Sequence, residues 1–277
     1  MTSGRLAAVP VSELVFRAGS MRSGERMVPD EVPIAFSYGG TTHAVMMATP
    51  ADLEDFAVGF SLTEGIIADP AEIVGIEVVD EGRGVDVQVT LADPVADALR
   101  ARRRHMAGPV GCGLCGIESI EQALRPVRFV GGGELRLRAD EIVEAVRALD
   151  AAQHLNRQTH AVHGAGFFVP GRGLVAIRED VGRHNALDKL CGAVAKTGLH
   201  GEDGAVVVTS RLSVEMVQKA AVLGSRFLLA VSAPTLLAIE TAEQAGVTLV
   251  AVVRGEDFEV FTYADRISFP GAVADVA

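Results

Sequence analysis

Short apolar runs alternate with helix-period segments through the second half of the chain, and this alternation restricts the fold more than any other feature. Residues 205–208, 227–231 and 247–253 read as strands, and the segments 210–223 and 234–245 between them read as helices. Pro234 stands where a helix tolerates proline, and Gly246 stands where helices end. A series of this kind predicts an α/β domain with helices laid against a sheet. Upstream, residues 160–169 and 174–177 flank Pro170-Gly171-Arg172-Gly173, a hairpin signal, and residues 181–190 read as a short helix.

The first half is patterned differently. Residues 1–30 are polar and poorly patterned and read as a frayed leader or edge structure, whereas 32–38 and 43–48 flank Gly39-Gly40 as a hairpin. Thr49-Pro50-Ala51-Asp52 reads as a helix start with a capping threonine, and it places Leu53, Phe56, Ala57 and Phe60 on one face. Residues 85–89 alternate as a strand, 100–116 are less regular, and a helix is predicted over 140–149 after the Gly131-Gly132-Gly133 break. The domain change falls between 110 and 135. The division is a leader over 1–30, an α+β domain over 31–125 that includes the cysteine loop, and an α/β domain over 126–277.

The sequence has no run of about 20 uninterrupted apolar residues and no basic flank with an apolar core at its start, so the reading is cytoplasmic with no membrane association. A net charge of -11 opposes a nucleic-acid-binding role, although the run Arg100-Ala101-Arg102-Arg103-Arg104-His105 can attract an anion locally. Three cysteines in 277 residues do not make a disulfide scaffold.

The chemistry concentrates in Gly111-Cys112-Gly113-Leu114-Cys115-Gly116. Three glycines in six residues disfavour both helix and strand, leaving Cys112 accessible on a loop that can move. The thiolate is the reactive form, and neighbouring cations such as those at 102–105 lower a thiol pKa. Structural zinc needs about four ligands, and only Cys191 and scattered histidines remain. A thioredoxin-like pair would start a helix, and the glycines fit that poorly. A zinc deaminase needs His-x-Glu before its Pro-Cys-x-x-Cys, which is absent, so no metal site is predicted. Two buried apolar cysteines are the remaining alternative. Spacing alone supports a sulfur-handling or redox loop and does not identify the acceptor.

Together with this loop, the runs Glu179-Asp180-Val181-Gly182-Arg183-His184-Asn185-Ala186-Leu187-Asp188-Lys189 and Ser210-Arg211-Leu212-Ser213-Val214-Glu215-Met216-Val217-Gln218-Lys219 carry a resemblance. Residues 57–65 and 261–266 extend it. The chain resembles the FdhD/NarQ family of formate dehydrogenase accessory sulfurtransferases from about Val32 to Ile267. The resemblance implies a homodimeric carrier that accepts persulfide sulfur from a cysteine desulfurase. It passes that sulfur to the molybdenum bis(molybdopterin guanine dinucleotide) cofactor for formate dehydrogenase. It assigns the persulfide to Cys112 and an assisting, receiving or protecting role to Cys115. It implies a two-domain α/β protein whose C-terminal domain resembles the cytidine deaminase-like fold without the zinc chemistry, beside a smaller N-terminal α+β domain. A carrier that only binds and presents the cofactor is the alternative.

The cofactor segment of the resemblance falls on Val252, Val253, Arg254, Gly255, Glu256 and Asp257. Glu256 and Asp257 are acidic, which leaves Arg254 and the backbone at Gly255 to meet phosphate. Arg183 and His184 open a predicted helix, where backbone donors and a guanidinium can hold a diphosphate. His184 and Asp188, four apart, share a face and are candidates to pair. Cys191 follows in an apolar setting that suits packing.

Overall fold

The computed structural model describes residues 4–106 and 127–269. In the first half, β3 (Val32–Tyr38), β4 (Thr41–Ala48), β5 (Ile73–Asp80) and β6 (Val85–Leu91) form one sheet in the order β4-β3-β6-β5. Strands β3 and β6 run parallel and the outer pairs antiparallel. Period-two alternation turns Val32, Ile34 and Phe36 inward with Val85, Val87 and Val89. Helix α1 (Leu53–Thr63) covers that face: Phe36 meets Phe56 edge-on at 4.8 Å and stacks on Phe60 at 4.6 Å. Each such fully buried ring contributes about 1.5–3 kcal/mol through area removed from water.

Two expectations for this half are corrected. Of the two readings of the first 30 residues the leader is corrected and edge structure stands for residues 8–29: β1 (Ala8–Arg17) and β2 (Ser20–Pro29) pair in register through a two-residue turn. Ala18 and Gly19 in that turn have φ of 49° and 78°, the positive values that hairpin turns of the primed type use. The basic run is not irregular either, because α2 (Asp93–Met106) extends through it. Cys112 and Cys115 lie outside the described residues.

In the second half, α3 (Ala139–Ala152) and α4 (His154–Thr159) precede β8 (His163–Val169) and β9 (Gly173–Asp180), with β7 (Leu137–Arg138) ahead of them. Helix α5 (Arg183–Ala195), β10 (Ala205–Val208), α6 (Val214–Leu223), β11 (Phe227–Ala230), α7 (Leu236–Ala245), β12 (Thr248–Arg254) and β13 (Asp257–Val260) follow. The closing β14 (Ile267–Ser268) pairs with β7. The larger sheet runs β13-β12-β11-β10-β8-β9, with β10, β11 and β12 parallel. Its central strands are apolar throughout because both faces are covered. Val206, Leu228 and Leu249 pack toward α5, α6 and α7, while Val207, Leu229 and Val250 pack toward α3. Among the described residues, no helix is long and apolar enough to cross a membrane.

The two halves meet where α1 crosses α5. A Cβ on Gly59 would lie 1.7 Å from the Asp188 carbonyl oxygen, and one on Gly192 would lie 1.9 Å from that of Asp55. Only glycine allows backbones this close. Asp55, nearly buried, adds charge at the same crossing: it accepts from Arg178 Nε at 2.8 Å and pairs with Lys196 Nζ at 2.7 Å.

Candidate functional site

Open α/β sheets receive ligands beyond the carboxyl ends of their parallel strands. Here that edge collects the end of β9, the starts of α5 and α6, the turn after β11 and the end of β12. Asp180, fully buried at the end of β9, fixes the approach to α5. It accepts from Thr49 N (3.0 Å), Gly182 N (2.8 Å), Asn185 Nδ2 (2.9 Å) and Lys189 Nζ (2.6 Å). This explains why Thr49 does not cap α1: its hydroxyl instead accepts from Val181 N at 3.2 Å, its carbonyl accepts from Lys189, and Asp52 leads into the helix with φ 54°. A methyl on Gly182 would strike the Asn185 amide at 2.6 Å. Arg183 and His184 are thereby held in the first turn of α5.

His184 does not pair with Asp188. Its Nε2 lies 3.1 Å from Glu215 Oε2 in the first turn of α6, and Ser213 Oγ donates to the same oxygen at 3.0 Å. Asp188 is drawn the other way, toward the interface between the halves. It accepts from Thr63 Oγ1 at 2.6 Å and from Lys219 Nζ at 2.7 and 2.9 Å. Thus the two long runs that carry the resemblance and the stretch 57–65 that extends it converge physically, contributing Asp188, Lys219 and Thr63. Burial opposes the Lys219 ammonium, but the carboxylates of Asp188 and Glu64 outweigh it and hold its pKa above the ordinary 10.5.

The His184 contact, with help from Ser213 and Arg183 and against burial, depresses the Glu215 carboxyl from 4.5 to about 2. A depressed acid contributes stability that is fully present above 4.5 and is lost as pH falls toward 2. Glu215→Gln is therefore expected to be less stable than the parent at neutral pH, by about 1 kcal/mol after solvent screening. The difference should vanish in strong acid; equal chemical-denaturation midpoints at neutral pH would contradict the assignment. Glu215 and Ser213 were missed from the sequence because the helix was started at Ser210. Leu212 instead bridges to Pro234, keeping that stretch extended until Ser213. A serine two residues ahead of a glutamate at the helix start was the available signal.

The segment 252–257 splits rather than presenting one surface. Val252 interrupts β12 at a bulge, with φ 56° and its amide donating to Ser232 O at 3.3 Å. A β-branched residue in the left-handed region costs about 1–3 kcal/mol, and such strain concentrates at functional positions. Val253 is buried under the sheet beside α3. Arg254 is exposed, Gly255 (φ 64°) opens the turn, and Glu256 reaches Arg147 at 3.5 Å. Asp257 lies opposite Arg254 in the backbone register of β12 and β13 across that turn. Val252 shares the carboxyl edge with Arg183 and His184, but β9 and β12 are four strands apart in the sheet, on the order of 19 Å.

The third cysteine is enclosed. Cys191 is 1% exposed in the core of the larger domain, where burial, reinforced by Asp188, pushes its thiol pKa well above the ordinary value. It cannot supply a thiolate near neutral pH. Among the described residues no cluster of three or more histidine, cysteine, aspartate or glutamate side chains is placed to hold a metal.

The molecule is thus a two-domain α/β protein with mixed sheets, its candidate ligand surface lying along the carboxyl edge of the larger one. The chain belongs to the FdhD/NarQ family, whose model matches residues 29–268. It is 67% identical over 257 residues to the sulfur carrier protein FdhD of Agrobacterium fabrum, covering 93% of this chain and 95% of that one. It is 44% identical to the sulfur carrier protein FdhD of Cupriavidus necator, covering 96% and 94%. A crystal structure of a formate dehydrogenase accessory protein from Desulfotalea psychrophila superimposes with a TM-score of 0.76 at 28% identity, covering 95% of this chain and all of that one.

Proposed function

We propose that this protein is a cytoplasmic sulfurtransferase that carries persulfide sulfur from a cysteine desulfurase to the molybdenum bis(molybdopterin guanine dinucleotide) cofactor for formate dehydrogenase. The observation that carries this reading is the enclosure of Cys191, which leaves Cys112 and Cys115 as the sulfur-bearing candidates in a chain with three cysteines. Membership of a family whose relatives are named sulfur carriers supports it.

In the first step the Cys112 thiolate attacks the outer sulfur of the desulfurase persulfide. A new sulfur–sulfur bond forms on Cys112, and the desulfurase cysteine leaves as its thiolate. In the second, the Cys115 thiolate attacks Cys112 sulfur, forming a disulfide and expelling hydrosulfide, and a thiol reductant in solution returns the disulfide to two thiols for the next turn. Hydrosulfide then replaces an oxygen ligand of the metal, which departs as hydroxide or water. Cys115→Ala should therefore lose transfer without added thiol and regain it with thiol. Arg183, His184, Arg254 and the backbone at Gly255 serve the guanine dinucleotide phosphates along the carboxyl edge, with Val252 shaping it. Val253, Glu256 and Asp257 act through backbone geometry. The larger domain, with helices packed against its central parallel strands, supports the cytidine deaminase-like reading of residues 126–277, beside an α+β domain over 31–125.

Radiolabelled sulfur loaded onto the protein tests the proposal: label moving to the cofactor supports it. Label that stays while formate dehydrogenase is still activated would favour a carrier that only presents the cofactor.

A homodimer belongs to the same reading. Leu14, Phe16 and Met21 are 69%, 68% and 63% exposed on one face of the β1–β2 arm, a surface suited to burial against a second copy. Light scattering should report a dimer for the parent chain and a shift toward monomer for the pair Leu14→Ser and Phe16→Ser. A variant that stays dimeric would place the interface elsewhere.

A further inference from the structure

At the opposite edge of the larger sheet, where β11 and β12 begin, a cavity of about 540 Å³ is lined by Gly131, Gly133, Arg136, Arg226, Asp265 and Arg266. Its volume falls within the roughly 300–1,000 Å³ of small-ligand sites. Glu134 and Asp265 are its carboxylates, yet among the described residues none of the three arginines has a carboxylate oxygen within 4.0 Å.

Arg226 is 4% exposed, and among the described residues its Nε and Nη1 have no hydrogen-bond partner, while Nη2 donates to Gly131 O at 3.0 Å. Buried guanidinium donors are ordinarily satisfied. Arg266 is held behind it, donating to Gly246 O at 2.6 Å and lying over the Tyr263 ring at 4.3 Å. Arg136 is exposed at the rim and donates to Asp265 O at 2.5 Å. Gly133, with φ 111°, lies directly against Arg226: a Cβ there would stand 3.3 Å from Nη1. The glycine thus keeps open the space beside the Arg226 Nη1. Burial, and then the charges of Arg266 and Arg136, disfavour the charged Arg226, a balance that an arriving anion reverses.

We propose that this cavity binds a phosphate-bearing anion, with Arg226 and Arg136 contacting it and Arg266 holding the pocket behind them. The site is separate from the carboxyl edge to which the cofactor was assigned, and its test does not depend on sulfur transfer. The shared chemistry is a phosphate or diphosphate group, free or carried by a nucleotide.

Calorimetric titration of the full chain with inorganic phosphate, pyrophosphate and guanosine diphosphate tests it. Saturable binding that weakens by about tenfold or more in Arg136→Glu and in Arg226→Met, the loss of one charge-assisted contact, and that survives Arg183→Ala, supports the site. Tighter binding of the nucleoside diphosphate than of pyrophosphate would support the nucleotide as the source, and equal or weaker binding would support the free anion. Arg136→Glu alters an exposed side chain and keeps the test valid should Arg226→Met fold poorly. Absence of saturable binding, or binding untouched by Arg136→Glu but lost in Arg183→Ala, would overturn the proposal.

Discussion

Replacing Cys112 by alanine is expected to reduce sulfur delivery to formate dehydrogenase by on the order of 10³-fold or more, to the level without the protein. The argument is one of available thiolates. Cys191 is sealed in the core with its thiol pKa raised, so deprotonating it near neutral pH is prohibitive. Cys115 remains in that variant, but in the proposed sequence it resolves the persulfide and does not receive it. Glycines flank Cys112 on both sides, so little packing is expected to depend on its side chain and thermal unfolding should be unchanged. Full activation of the client by a stably folded Cys112→Ala protein would eliminate the persulfide route and leave the presenting carrier.

Lys219→Ala is expected to destabilise the protein by about 3–5 kcal/mol, because it leaves the Asp188 carboxylate buried without its cation. Asp188 is 1% exposed and Lys219 6% exposed, and Thr63 ties the pair to α1. The loss would fall at the crossing of α1 and α5, where Gly59 and Gly192 leave no slack for the backbones to adjust. Urea unfolding measures it directly, and a double variant that also replaces Asp188 by leucine should recover part of the loss. The sign with pH is also fixed. A lysine whose folded pKa is raised contributes stability below its unfolded pKa near 10.5 and loses it as pH rises through the higher folded value. The gap between parent and variant should therefore be wide at neutral pH and close in strong alkali; burial raises the Asp188 carboxyl pKa, so acid that protonates it narrows the gap as well. A loss under about 1 kcal/mol would mean the pair behaves as a solvated surface contact.

What could be read from the sequence follows how local each signal is. The strands and helices of residues 205–253 were legible because each apolar run is short, bounded by proline or glycine, and buried on both faces. The β1–β2 arm was not, because Leu14, Phe16 and Met21 face outward and the polar residues among them mimic an unpatterned leader. Only the Ala18-Gly19 turn marked it. The helix through the arginine run was hidden for a different reason: Val95, Ala96 and Leu99 give it an apolar face, but residues 100–105 beyond them are arginines and a histidine apart from Ala101. The candidate site was half legible. Arg183 and His184 stand at a helix start as read, but the partner of His184 comes from α6, and Thr49 was taken from its local cap by Asp180, 131 residues away. Contacts of that range leave no local pattern. The bulge at Val252 was equally hidden, since valine gives no hint of a positive φ.

Intact-protein mass spectrometry after incubation with a cysteine desulfurase and cysteine tests the central claim most directly. The account predicts a gain of about 32 Da on the parent chain that a thiol reductant removes, that persists in Cys115→Ala and that is absent from Cys112→Ala. No gain on the parent under conditions that load a control acceptor, or an unchanged gain on Cys112→Ala, would contradict it.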